Sequence, residues 1–214
     1  MENSRHFFYR KLHSLTGVIP VGIFLLEHLY TNYFATRGVE AYNQKVAEIW
    51  EIPFLLVFEL LIIGSIIYHG IYGLYIAFQA KHNVGNYSYF RNVMFMLQRV
   101  TGVITLIYIT WHVWETRVQV ALGNVEKDQF FELMTDILSN PWMLTFYIIG
   151  LVSAVFHFSN GMWSFLVTWG ITIGPRSQQI STYVWMTLFV VLSSIGIYTL
   201  LTFVNVETAS QLIR

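Results

Sequence analysis

Ser65-Ile66-Ile67-Tyr68-His69-Gly70-Ile71-Tyr72-Gly73 sets a histidine in the middle of a long apolar run. The pattern returns as Ser153-Ala154-Val155-Phe156-His157-Phe158-Ser159-Asn160-Gly161, so both stretches read Ser-x3-His-x3-Gly. A proline precedes each histidine by 16 positions, Pro53 before His69 and Pro141 before His157. An ionisable side chain inside a membrane is costly and marks function by default. Two of them in matched frames point to a pair of ligands.

The surrounding composition is that of a membrane protein. Of 214 residues, 55% are hydrophobic, 17% aromatic and 11% charged, against about 25% charged in a soluble domain. Formal net charge is zero, which gives nucleic acid no electrostatic footing. With no cysteine, disulfides, covalent C-x-x-C-H haem attachment and iron–sulfur ligation by this chain are excluded. Hydropathy predicts an all-α integral membrane fold, a single domain over 1–214. It has five membrane helices near 12–34, 53–80, 94–118, 141–169 and 183–206, each long enough for a ~30 Å hydrocarbon core. Pro53 and Pro141 suit the first position of their helices, where the missing N–H is not needed. The basic N-terminus followed by an apolar run imitates a signal peptide. We expect it to be retained, because no small-residue cleavage site follows and the run matches a later segment.

That match is an internal repeat. Thr16-Gly17-Val18-Ile19 recurs as Thr101-Gly102-Val103-Ile104, followed by His28 after 12 positions and His112 after 11. The chain is therefore a two-helix unit, repeated into a four-helix bundle, plus a fifth helix without histidine. A parallel repeat implies a pseudo-two-fold axis along the membrane normal. At 1.5 Å rise per residue, His28 lies roughly 24 Å and His112 roughly 20 Å from the inner ends of their helices. His69 and His157 each lie roughly 24 Å from an outer proline, so they belong to the inner half. Each leaflet is offered one histidine pair, split across facing helices.

Lys and Arg set the orientation. The N-terminus and even-numbered loops hold Arg5, Arg10, Lys11, Lys81, Arg91, Arg99 and Arg176; the other side holds Arg37, Lys45, Arg117, Lys127 and Arg214. The N-terminus is expected inside and the C-terminus outside. Val39, Tyr42, Val46, Ile49 and Trp50 form one helical stripe in an outer loop, and Phe130, Phe131, Met134, Ile137 and Leu138 form another. Both predict short amphipathic helices at the interface. Trp50, Trp111, Trp114 and Trp142 fit the outer aromatic belt.

Paired imidazoles fill both axial positions of a haem iron that only carries electrons, and the interior of a four-helix bundle suits such a cofactor. Small residues are expected to let a flat ring approach: Gly17, Gly102, Gly73 and Gly161. Ser65 and Ser153, one turn before their histidines, can orient the imidazole. Arg10, Lys11, His13 and Arg99 at the inner end can meet haem propionates. Glu27, Glu59 and Glu115 are outer-half carboxylates that are candidates for a quinone or proton role, with an interface contact or a plain salt bridge as the simpler reading. His6 and His82 fall in terminal or loop segments and read as solvated. A transporter whose paired histidines bind a transition metal, and a haem-free anchor, remain open on these residues alone.

The stretches Arg10-Lys11-Leu12-His13-Ser14-Leu15-Thr16-Gly17-Val18-Ile19-Pro20, His69-Gly70-Ile71-Tyr72-Gly73-Leu74-Tyr75, Trp111-His112-Val113-Trp114-Glu115-Thr116-Arg117 and Ser139-Asn140-Pro141-Trp142-Met143-Leu144-Thr145-Phe146-Tyr147 narrow this. They resemble the di-haem cytochrome b membrane anchors of succinate dehydrogenases, in the single-chain form of Bacillus-type Gram-positive bacteria. The resemblance covers nearly the whole chain. It implies two haem b, the inner held by His69 and His157 and the outer by His28 and His112. It implies flavoprotein and iron–sulfur subunits docked on the cytoplasmic side of the bacterial plasma membrane, near 81–92 and 170–182. Electrons from succinate would pass inward haem to outward haem to menaquinone, with the membrane potential driving the uphill step. The anchor would bind haem, quinone and lipid without acting on succinate itself. Anchors of quinol:fumarate reductase, hydrogenase or formate dehydrogenase are the nearest alternatives.

Overall fold

In the computed structural model, backbone is described for residues 2–81 and 83–212 and side chains for 5–81 and 83–204. His82 and the outer charges Glu207 and Arg214 lie outside the described side chains.

The described chain is helical, in the order α1 (Glu2–Val18), α2 (Pro20–Tyr33), α3 (Val39–Trp50), α4 (Leu55–Gln79), α5 (Phe90–Val113), α6 (Gln119–Ala121), α7 (Phe130–Ser139), α8 (Pro141–Thr168) and α9 (Pro175–Leu212). Five stretches are long and apolar enough to cross a membrane: Arg5–Arg37, Leu55–Gln79, Phe90–Ala121, Pro141–Thr168 and Pro175–Val204.

Helix α1 begins ten residues before the expected start of the first span at 12, because charged Arg5, Arg10 and Lys11 continue the helix out of the apolar zone. Pro20 cannot donate to the helix ladder, which divides the span into α1 and α2. Ile19 nevertheless stays right-handed (φ −77°, ψ −63°), so the two run on as one rod. The expectation that Pro53 opens a helix is corrected. Phe54 takes a left-handed conformation (φ 60°) at the N-cap of α4, which starts only at Leu55, and Pro53 sits in the turn from α3. Pro141 does open α8, and Asn140 caps it, its Oδ1 accepting from the Trp142 and Met143 amides at 2.9 and 3.4 Å. The fifth helix starts at Pro175 rather than near 183. Its first turns are polar (Ser177, Gln178, Gln179) and escape a hydropathy scan. The inner connection expected over 170–182 shrinks to a short turn, with Gly170 and Gly174 at φ +71° and +88°.

α1 and α2 pack on α4, α5 packs on α8, and α9 covers the far side of α8. The two expected amphipathic helices are α3 and α7. They do more than lie at the interface: Tyr42, Phe131, Met134 and Leu138 join Ala35, Tyr147, Leu151, Val155, Leu200 and Phe203 in the buried core. The core therefore sits at the α3/α7 end of the bundle, the end expected from the Lys/Arg distribution to face outward. At the inner end, Lys11 Nζ donates to Thr168 O, where a cation meets the C-terminal carbonyls of α8. Trp169 Nε1 donates to Ser14 Oγ at 2.9 Å, and Trp163 Nε1 to Gln178 O at 3.0 Å.

Asn140→Ala is expected to lower stability by about 0.5–2 kcal/mol, the usual cost of losing such a cap. Asn140→Asp should restore most of it. Thermal unfolding in detergent checks both.

Candidate functional site

Four intramembrane histidines meet in two pairs. The rings of His69 on α4 and His157 on α8 have centroids 6.0 Å apart at an interplanar angle of 88°. Those of His28 on α2 and His112 on α5 are 5.7 Å apart at 72°. Two end-to-end metal–imidazole bonds of about 2 Å hold the coordinating nitrogens about 4 Å apart, with the ring centres farther out. Both centroid separations, 6.0 and 5.7 Å, are close to what such sharing requires, which makes each pair a candidate to share one metal ion.

The inner pair is built by the sequence repeat. His69 Nδ1 donates to His13 O on α1 at 2.9 Å. His157 Nδ1 donates to Gln98 O on α5, also at 2.9 Å. His13 stands four residues before Gly17, as Gln98 stands four before Gly102. A Cβ on Gly17 would fall 2.3 Å from His69 Cε1, and one on Gly102 would fall 2.8 Å from His157 Cε1. A Cβ on Gly73 would reach His13 Nε2 at 3.1 Å, and one on Gly161 would reach Gln98 Nε2 at 3.2 Å. The four glycines expected to clear space for a flat ring thus seat the imidazoles and the side chains behind them. Ring orientation comes from a carbonyl of the neighbouring helix, where Ser65 and Ser153 were expected to supply it. Engaging Nδ1 leaves each Nε2 as the coordinating atom.

The two halves differ in the side chain that carries that carbonyl. His13 stacks face to face on His69, centroids 4.0 Å apart and 10° from parallel, and its buried Nε2 has no hydrogen-bond partner. Gln98 donates to His157 O at 2.9 Å and accepts from Asn160 Nδ2 at 2.7 Å. Neither Gln98 nor Asn160 emerged from the sequence, although aligning the repeat on Gly17 and Gly102 puts Gln98 opposite His13.

The outer pair is held by side chains. His112 Nδ1 stands 3.4 Å from Tyr147 Oη, whose hydroxyl donates to Glu115 Oε2 at 3.0 Å. Tyr108 stacks on His112 at 5.7 Å. Beyond His112, α5 widens into a π-turn over Trp114–Val118, a departure that often marks functional sites. On His28, Asn32 Nδ2 donates to the backbone O at 2.8 Å and stands 3.4 Å from Nε2. Asn32 Oδ1 faces Tyr42 Oη at 3.4 Å. Burial raises the Tyr42 phenol well above its ordinary value, so it stays a donor.

A search among known proteins gives a consistent answer. The model of the succinate dehydrogenase/fumarate reductase transmembrane subunit family matches residues 80–196. The succinate dehydrogenase cytochrome b558 subunit of Bacillus subtilis (strain 168) is 55% identical over 205 residues, 95% of this chain and 100% of that protein. The chain belongs to the succinate dehydrogenase/fumarate reductase transmembrane subunit family.

The remaining expected residues of this family member take varied positions. Arg10 and Arg99 come close enough for their charges to repel, and Arg99 Nε is buried without a partner. Lys11 is engaged at Thr168 and over the Trp169 ring, 4.7 Å from its centroid. Glu59 forms a bidentate pair with Arg117, both contacts at 2.8 Å, which ties α4 to α5. Glu27 accepts from Thr31 at 2.6 Å. Glu115 is linked to His112 by hydrogen bonds through Tyr147, and Glu27 lies close enough to His28 for its charge to act on that ring. His6 lies on α1, exposed, beside a groove lined by Tyr9, Tyr68, Tyr72 and Tyr75.

Gly17→Ala and Gly102→Ala are expected to destabilise the protein by about 1–3 kcal/mol through overpacking. Gly64→Ala, where nothing lies within 4 Å of the added atom, should stay within about 0.5 kcal/mol. Thermal unfolding of the three variants in parallel separates these outcomes.

Proposed function

We propose that this chain is the haem- and quinone-binding membrane anchor of a succinate dehydrogenase, carrying electrons from an iron–sulfur subunit to menaquinone. The observation that supports the reading is the meeting of four helix-borne histidines in two pairs, one per half of the bundle, with ring centroids 6.0 and 5.7 Å apart. His69 and His157 hold the inner haem b, and His28 and His112 hold the outer one. A haem held by two histidines would supply one-electron exchange.

The chain's own residues orient and insulate these groups. The His13 and Gln98 carbonyls fix the inner imidazole planes. The charges of Arg10 and Arg99 lie close together, and the buried Arg99 Nε has no hydrogen-bond partner among the described residues; this supports a role in neutralising propionates. Lys11 and His13, already engaged, contribute less there. On the outer side, Glu115 is the best-supported carboxylate for proton uptake at the quinone, since it already shares a hydrogen bond with Tyr147 beside His112. Glu27 is the next candidate, and Glu59, neutralised by Arg117, serves the helix contact.

The described parts of the α4–α5 connection (80–81 and 83–89) and the short turn at 169–174 lie at the end where Lys11, Arg91 and Arg99 gather. We assign that end to the cytoplasmic face of the bacterial plasma membrane, on the Lys/Arg rule. It is the docking end for the iron–sulfur and flavoprotein subunits, which perform the chemistry on succinate. Reversal of the same path serves fumarate reduction, the other activity that the family description spans.

Purified protein is expected to show a b-type spectrum with two haems per chain. His69→Ala and His157→Ala should remove one and the same spectral component, and His28→Ala and His112→Ala the other. Loss of different components from His69→Ala and His157→Ala would overturn the pairing.

A further inference from the structure

The two histidine pairs differ in what stands behind the imidazole. Both inner ligands donate from Nδ1 to a backbone carbonyl, His69 to His13 O and His157 to Gln98 O. The outer ligand His112 has a side chain there, Tyr147 Oη at 3.4 Å. The Tyr147 hydroxyl donates onward to Glu115 Oε2 at 3.0 Å. Tyr147 is 0% exposed and is clasped by Tyr108 and Phe146, ring centroids 5.4 and 6.1 Å away. Its hydroxyl therefore has no water to turn to. Because it spends its single proton on Glu115, its oxygen faces His112 as an acceptor.

We propose that Tyr147 and Glu115 are positioning residues for the outer haem ligand, a tyrosine-relayed carboxylate that makes the His112 imidazole a stronger electron donor to iron. This rests on the haem assignment above. A hydrogen bond from the far ring nitrogen to an acceptor raises ligand basicity, and second-shell hydrogen bonding is one of the levers on haem potential. An acceptor that is itself polarised by a carboxylate acts more strongly, because charge-assisted hydrogen bonds are about twice as strong as neutral ones. The inner ligands meet neutral amide carbonyls and lack this push. The relay therefore lowers the potential of the outer haem and leaves the inner one alone. The π-turn at Trp114–Val118 lies where it sets the register of Glu115 against His112 on the same helix.

The test is a potentiometric titration of the purified complex, followed by visible absorbance. The outer component is identified as the one that His112→Ala removes. Tyr147→Phe, which keeps the ring and deletes the hydroxyl, is expected to raise the midpoint of that component and leave the other unchanged. Glu115→Gln, which keeps an acceptor for Tyr147 but removes its charge, should shift it in the same direction by less. If Tyr147→Phe does not assemble with two haems, Glu115→Gln alone decides. An unchanged outer midpoint in the variants that assemble, or an equal shift of both components, overturns the relay. Persistence of both components in His112→Ala would instead overturn the ligand assignment on which it rests.

Discussion

An imidazole N–H that donates across a helix interface to a backbone carbonyl is the contact on which the inner half of this protein depends. It occurs twice, from His69 to His13 O and from His157 to Gln98 O, each at 2.9 Å. Each time the carbonyl lies one turn before a glycine whose missing side chain lets the imidazole approach. In lipid, a polar ring must find its partner within the protein. A carbonyl already bonded along its own helix has a second lone pair to offer. The arrangement needs close helix approach, and Gly17 and Gly102 provide it, in the manner of small residues at membrane helix interfaces generally.

Much of this was legible in the sequence because it repeats. Five apolar runs gave the spans, and the matched Ser-x3-His-x3-Gly and Thr-Gly-Val-Ile stretches gave the pairing of helices and histidines. The stripes at 39–50 and 130–138 gave α3 and α7. What escaped has physical causes. Polar first turns hid the starts of α1 and α9, since hydropathy registers lipid contact and not helicity. Pro53 looked like Pro141, yet the left-handed Phe54 between α3 and α4 moved the helix start past it. Ser65 and Ser153 matched as well as the histidines did, but the imidazoles turn toward the neighbouring helix, a direction that spacing along one helix does not encode. Gln98, Asn160 and Tyr147 are ordinary residues until the fold brings them to a histidine.

The burial pattern separates the two ends. The largest buried side chains gather at the outer end, where α3 and α7 close over α8 and α9. The outer histidine pair therefore sits beside a packed core, with Tyr147 belonging to both. Much of α4 and α5 faces outward, with Leu56, Leu60, Ile71 and Phe78 each more than half exposed in the isolated chain. Such faces are expected where lipid, not water, is the neighbour.

The two ends then differ in how their histidines can be tuned. A backbone carbonyl cannot be changed by substitution without moving the helix, so the inner imidazoles are oriented by geometry that the repeat fixes. His112 instead faces a side chain, Tyr147 Oη at 3.4 Å with Glu115 behind it, and the residue at such a position sets what the imidazole meets. The repeat relates the two histidines within each pair and not one pair to the other, so the two pairs are free to differ in their surroundings. In the proposed relay, the carboxylate-backed hydroxyl behind His112 is the feature that would set the outer site apart from the carbonyl-backed inner one.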